Sequence, residues 1–152
     1  MASLSYLDRA LLDAAREGRL DEIIESFYDR RTNVNVVDAN NYTPLHWASI
    51  NGHHQCIELL LDRHANVNAV AYDNCTPLHW ASRFGYHQCI ELLLDRHADV
   101  NAVGFNNITP LHCASRNGHH QCIELLIDRG ADKSIKDVRE DGCDSLLHLL
   151  LI

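Results

Sequence analysis

Six cysteines and 11 histidines in 152 residues are the side chains best suited to bind a metal or attack a substrate. Cys56, Cys89 and Cys122 lie 33 residues apart, and Gly52-His53-His54-Gln55-Cys56 returns as Gly118-His119-His120-Gln121-Cys122. A closed zinc site wants four ligands, and the sequence holds no CxxC pair. His54 and Cys56 are two residues apart, so on a helix they do not face each other. His53 and Cys56 could converge, but the middle copy carries Tyr86 in place of that histidine. The three cysteines fall in apolar strings, where a reduced thiol acts as a small hydrophobe. Packed as neighbouring helices, such strings stand about 8–10 Å apart, beyond the roughly 7 Å Cα limit of a disulfide. Buried reduced thiols are the expectation, and they point to the cytoplasm or nucleus. Cys75 differs: it takes a turn position held elsewhere by Tyr42 and Ile108 and is expected to be exposed. No Walker loop, dinucleotide fingerprint, GxSxG or HExxH is present. Asp144, Ser145 and His148 are mere neighbours in sequence and make no triad. No catalytic residue, metal ligand or cofactor is assigned, and a non-enzyme is expected.

What must position these residues is set by an internal repeat. Thr43-Pro44-Leu45-His46-Trp47-Ala48-Ser49 recurs as Thr76-Pro77-Leu78-His79-Trp80-Ala81-Ser82 and as Thr109-Pro110-Leu111-His112-Cys113-Ala114-Ser115, with a shift of 33 each time. The string from Gln55 to Leu60 returns at Gln88 and Gln121, and Asp62-Arg63 returns at Asp95-Arg96 and Asp128-Arg129. Proline suits a first helical turn, and it drives the threonine before it into the extended region, where its hydroxyl can cap that helix. A short helix to about Asn51 is predicted, ended by a left-handed Gly52. A second helix, about His54 to Arg63, has a wide apolar face (Cys56, Ile57, Leu59, Leu60, Leu61) and one polar stripe through Glu58 and Asp62. Ala48, Ala81 and Ala114 let the first helices approach closely. One helix pair of this length cannot bury its own apolar surface, whereas a stack of pairs can. His64 and His97 stand at the helix end that Gly130 occupies in the third copy, a place for the left-handed region.

The unit resembles an ankyrin repeat in its period, its TPLHWA string, Gly52-His53 and the trailing Ala65-Asn66-Val67-Asn68. The resemblance covers 38–136 unit for unit. It implies an all-α solenoid of stacked helix-turn-helix units joined by β-turn or hairpin loops. We expect a single domain over 1–152: an N-terminal capping repeat at 1–37, full repeats at 38–70, 71–103 and 104–136, and a partial C-terminal repeat at 137–152. The first cap holds one extra residue in or after its second helix, because Gly18 precedes Gly52 by 34 while Asp29 precedes Asp62 by 33. Ser145-Leu146-Leu147-His148 is similar to the TPLH string at a shift of 36, and Leu149 to Ile152 would leave an apolar end. In the family the TPLH histidines, here His46, His79 and His112, hydrogen-bond within and between units.

Composition narrows the partner. Asp plus Glu is 21 against 13 Lys plus Arg, a net charge of −8. Such a chain repels phosphate backbones, so neither nucleic acid nor an anionic membrane is expected as a ligand. No run approaches the roughly 18 apolar residues of a membrane span, and the first residues lack a basic region followed by an apolar one. The Asp–Arg pairs could form an exposed ladder along the stack.

Positions that differ between otherwise matching copies are free of the fold's demands. At the turns they read Ala39, Asn40, Tyr42, then Tyr72, Asp73, Cys75, then Phe105, Asn106, Ile108. At the end of the first helix they read Ile50, Asn51, then Arg83, Phe84, then Arg116, Asn117. In ankyrin proteins these positions line the concave groove that grips partners, and Tyr, Phe, Ile and Arg are residue types found at interfaces. Tyr42 and Ile108 could instead pack between turns. Trp47 and Trp80 are read mainly as packing. The resemblance implies a non-catalytic protein-binding module, an adaptor or inhibitor that masks another protein, and a monomer. Small acidic members resembling inhibitors of cyclin-dependent kinases or of Rel-type transcription factors act so, and nothing here singles out either. A scaffold or consensus-like repeat protein with no partner of its own is the alternative, and a metal- or thiol-based activity a distant third. The family also contains asparagines that are hydroxylated after an acidic-aliphatic pair, with a leucine eight residues earlier. Leu93, Asp99, Val100 and Asn101 match that pattern, whereas Asn68 has Leu60 but Asn66 in place of the acid.

Overall fold

A computed structural model describes residues 3–138. The sequence readings at 139–152, among them the TPLH-like string, the Asp144/Ser145/His148 cluster and the apolar end, lie outside the described residues. Within them are eight α-helices, one 3-10 turn at Phe105–Asn107 and no strand. The helices are α1 (Tyr6–Glu17), α2 (Leu20–Ser26), α3 (Pro44–Ile50), α4 (His54–Asp62), α5 (Pro77–Phe84), α6 (His87–Asp95), α7 (Pro110–Arg116) and α8 (His120–Asp128). Odd helices pack on odd and even on even, in two layers.

The threonine-proline start works as the residues require. Thr43 is extended, its hydroxyl accepts from the His46 N–H, and the His46 imidazole accepts from the Thr43 N–H in return. Thr76/His79 and Thr109/His112 repeat this reciprocal cap. The other imidazole nitrogen then reaches into the next unit. His46 Nε2 donates to the Cys75 carbonyl at 3.1 Å, and His79 Nε2 to the Ile108 carbonyl at 2.9 Å. Each of these histidines therefore starts a helix and fastens the following turn.

Ala48, Ala81 and Ala114 are fully buried between odd helices, with Ser49, Ser82 and Ser115 beside them. Ser49 and Ser115 donate to Leu45 and Leu111 carbonyls at 2.7 and 2.8 Å. Because small side chains line this layer, odd helices meet their neighbours more closely than even ones. Leu45, Leu78 and Leu111 meet Ile57, Ile90, Ile123, Leu60, Leu93 and Leu126 between the layers, all buried in one continuous core. Full burial of such a side chain contributes about 1.5–3 kcal/mol. Cys56, Cys89 and Cys122 are buried there as free thiols, and burial pushes their pKa values up, that of Cys89 to about 12.

Gly18, Gly52 and Gly85 end their helices with φ of 72°, 71° and 75°. A ring of the next unit sits on each. A Cβ on these glycines would stand 2.7 Å from His53, 2.8 Å from Tyr86 and 2.5 Å from His119. This explains the replacement of histidine by Tyr86: the position needs a flat ring against glycine, not a ligand. His53 and His119 also donate through Nε2 to the Arg16 and Arg83 carbonyls at 3.1 and 3.0 Å.

The trailing loops are joined by asparagines. Asn35, Asn68 and Asn101 accept through Oδ1 from the N–H of Asn66, Asp99 and Asp132 at 2.7–2.8 Å. His64 and His97 take the left-handed region with φ of 65° and 67°, as does Gly130. Of the Asp–Arg ladder, two rungs exist: Arg96–Asp62 and Arg129–Asp95, each 2.8 Å across units. The third is absent among the described residues. Asp29 is held by Arg31 at 2.7 Å, and Arg63 lies over the Phe27 ring instead. The cause is local: α2 stops at Ser26, and the turn that follows takes up the additional residue.

Candidate functional site

The variable positions fall on the projecting turns and on the C-terminal ends of α3, α5 and α7. The turns are linked to one another by one backbone bond per unit. Tyr72 N–H donates to the Asn40 carbonyl, Phe105 N–H to that of Asp73 and Val138 N–H to that of Asn106. Asn41, Asn74, Asn106 and Asn107 supply the left-handed corners, a region asparagine enters more readily than most residues.

These positions divide into two groups. The first is tied into the fold. Tyr42 is half-buried, its hydroxyl donates to Asp73 Oδ2 at 2.9 Å, and its ring lies 5.4 Å from those of His46 and Trp47 and 5.9 Å from that of Trp80. Burial and the neighbouring Asp73 carboxylate raise its pKa. Asp73 Oδ1 accepts the Cys75 N–H at 3.0 Å. Cys75 is half-buried, against the exposure expected of it, because the Gly104 backbone closes over its sulfur. Burial, with help from Asp73, pushes that thiol up to about 12, and burial pushes Cys113 to about 11. A thiol kept protonated is a poor nucleophile. Ile108 is half-buried and its carbonyl is taken by His79 and Gly104. Asn106 turns the corner before it, Ile50 is half-buried, and Arg116 forms an ion pair with Asp137.

The second group is presented to solvent. Tyr72 is 70% exposed, Phe105 65% and Phe84 43%. Phe84 stacks on Trp80 with centroids 6.1 Å apart and planes at 16°, and also meets Tyr86. Arg83 is exposed, its guanidinium 5.4 Å from the centroid of Trp80 and 6.0 Å from that of Phe84. Asn40, Asn51 and Asn117 are exposed; Asn51 and Asn117 donate back to the Trp47 and Cys113 carbonyls, which leaves their amide oxygens outward.

Several exposed apolar side chains lie outside the variable positions. Val37, Val70 and Val103 are exposed although identical between copies, and Val138 is exposed at the position equivalent to Phe105. Val70 and Val103 stand two residues before Tyr72 and Phe105, a spacing that shares one face of extended chain. Trp47 donates through Nε1 to Asp38 Oδ2 at 3.0 Å, whereas Trp80 Nε1 is buried with no partner among the described residues. The sequence does carry that signal, since Ala71 replaces Asp38 in the second copy.

Asn101 is partly buried and engaged at both ends: its Nδ2 donates to the Gly130 carbonyl at 3.3 Å while Oδ1 accepts from Asp132.

Family models match the chain over almost all of the described residues. That for ankyrin repeats in three copies matches residues 11–104, and that for a single ankyrin repeat matches 106–138. The chain belongs to the ankyrin repeat family. Ankyrin repeats generally mediate protein–protein interaction, and the family is typically non-catalytic. A search of curated proteins finds no match. Among the described residues of this ankyrin protein no group of three or more His, Cys, Asp or Glu could hold a metal ion. No helix there is long and apolar enough to cross a membrane.

Proposed function

We propose that this ankyrin repeat chain is a non-catalytic adaptor or inhibitor that binds another protein through its groove. The observation that carries the reading is the exposed aromatic set Tyr72, Phe84 and Phe105 on positions that vary between copies, with Arg83 beside Phe84. Exposed aromatics and arginine are the side chains most often found to dominate binding energy. The fold alone supports many functions, so the proposal rests on these side chains. Asn51, Asn40 and Asn117 form its polar rim. Tyr42, Asp73, Cys75, Ile50, Asn106, Ile108 and Arg116 set the backbone from which the others project. One domain with units at 38–70, 71–103 and 104–136, a monomer, and residence in the cytoplasm or nucleus complete the proposal. Free cysteines support the last point. Asn101 is carried as a hydroxylation site, checked by the mass gain of one oxygen after co-expression with an asparaginyl hydroxylase.

The test is a crosslinking pull-down from lysate, comparing the wild type with Tyr72→Ala/Phe84→Ala/Phe105→Ala. The variant must first show an unchanged helical circular-dichroism spectrum. A protein captured by the wild type and lost by the folded variant supports groove binding. Equal capture by both moves binding elsewhere, and no capture by either favours a scaffold without a partner.

A further inference from the structure

The charges at the groove are unequally committed. Asp38 Oδ1 accepts from the N–H groups of Asn40 and Tyr42 at 2.9 and 3.0 Å, and its Oδ2 accepts from Trp47. Both oxygens of Asp73 are engaged, by the Cys75 N–H and the Tyr42 hydroxyl. Asp137 is paired with Arg116. Each carboxylate at the base of a turn is thus engaged by donors of the chain itself. Arg83 is not: no carboxylate of the described residues pairs with it, and it stands exposed over Trp80 and Phe84. Arg16, over the Trp47 ring at the neighbouring helix end, has only a contact of 4.0 Å to Asp13. A cationic partner would meet Arg83, and the Asp38 and Asp73 carboxylates, though still charged, already have both oxygens engaged by neutral donors. The net charge of −8 does not reverse this. Exposed Glu58, Asp62, Glu91, Asp95, Glu124 and Asp128 lie on the even helices, in the other layer, and exposed Glu17 at the end of α1 is paired with Arg19. Interactions between exposed charges fade beyond about 8 Å at physiological salt.

We infer that the groove takes an acidic-hydrophobic peptide segment, with a partner carboxylate on Arg83 and adjoining apolar side chains on Tyr72, Phe84 and Phe105. Arginine suits this role because its fork can donate two parallel bonds to a carboxylate while its plane stays on the aromatic rings. The inference rests on the groove reading and sharpens it.

The experiment is selection of a random displayed-peptide library on the full chain, repeated on Tyr72→Ala/Phe105→Ala, Arg83→Gln and Arg83→Glu. Each variant must show wild-type circular dichroism and urea midpoint, which an exposed position should allow. Peptides that need Tyr72 and Phe105 should be enriched in Asp or Glu beside aromatic or aliphatic residues. Arg83→Gln should weaken them about tenfold, and Arg83→Glu should select Lys or Arg at the same place. Groove-dependent peptides with no acidic preference, or with a preference indifferent to Arg83→Glu, overturn the inference and leave the groove reading standing. Absence of any peptide that depends on Tyr72 and Phe105 overturns both.

Discussion

Acid should loosen this stack between about pH 6.5 and pH 5, before its carboxylates titrate. His46 and His79 are 0% and 1% exposed. Their proton positions follow from obligate partners. A backbone N–H can only donate, so Nδ1, facing the Thr43 or Thr76 N–H at 3.1 or 3.0 Å, is bare. A carbonyl can only accept, so Nε2 carries the proton toward Cys75 or Ile108. A second proton on Nδ1 would face the donors it now accepts from, in a site closed to water. Burial accordingly holds both pKa values below the ordinary 6.5. The unfolded chain binds these protons below pH 6.5 and the native chain does not, so stability is full above that pH and falls beneath it. The slope has a ceiling of about 1.4 kcal/mol per pH unit for each histidine, so the loss for the pair at pH 5 is at most about 4 kcal/mol. Against a typical stability of about 5–15 kcal/mol this is a large loss. Asp29 and Asp132 do not interfere. Bonds from Arg31 hold Asp29 at about 2, and bonds from Ser134 lower Asp132, so their contributions are lost only below the ordinary 3.8. Urea melts followed by circular dichroism from pH 7.5 to about pH 5 give the slope directly. His46→Gln/His79→Gln should be less stable at neutral pH and nearly flat across this window. A wild-type stability unchanged to pH 5, or the same slope in the double variant, would refute the reasoning.

Three further expectations concern single contacts. Gly85→Ala and Gly118→Ala both place a Cβ in the left-handed region, at a shared cost of about 1 kcal/mol. Only Gly85 lies under a ring, His119, so its variant should lose at least about 1 kcal/mol more in urea melts; equal losses would mean that the ring is not held against the glycine. Ala71→Asp should give Trp80 the acceptor that Trp47 has in Asp38 and raise stability by about 1 kcal/mol, whereas Asp38→Ala should lower it; the opposite signs in thermal melts would discard the comparison. Cys75, Cys89 and Cys113, whose thiols are pushed up to about 12, 12 and 11, should resist alkylation in the native chain near pH 8 and react once urea unfolds it, which peptide mass mapping reads residue by residue.

What was legible in the sequence was whatever repeats and whatever is local. Thr43-Pro44 marks a helix start by its own chemistry, and Gly52 marks its end, so the start and type of α3, α5 and α7 follow from the strings alone. The period then supplies the stacking. Cross-unit side-chain pairing was harder to read. Nothing in the string links Tyr42 to Asp73, because the turns come together only after the helices have stacked. For the same reason Cys75, polar and turn-like in sequence, proves half-buried once the Gly104 backbone closes over it. Adjacent aspartate and arginine suggested a ladder, but its rungs join different units, and the uneven first unit lacks one. Identity between copies also hid Val70 and Val103, since a repeated residue looks structural until its exposure is known.

The bonds between units have a further meaning for how such a chain changes. His46 and His79 each reach a carbonyl 29 residues onward, and each loop asparagine an N–H 31 residues onward. Excision of 71–103 would bring the Ile108 carbonyl to His46 and the Asp132 N–H to Asn68, the partners their equivalents already hold. The chain can therefore shorten or lengthen by a whole unit with these bonds remade, whereas one residue added inside a unit would put them out of step. The excised unit would carry away Tyr72, Arg83 and Phe84. Folding instructions here come in interchangeable copies while the exposed Tyr72, Arg83 and Phe84 occur once, so duplication and loss can revise that surface without revising how the chain folds.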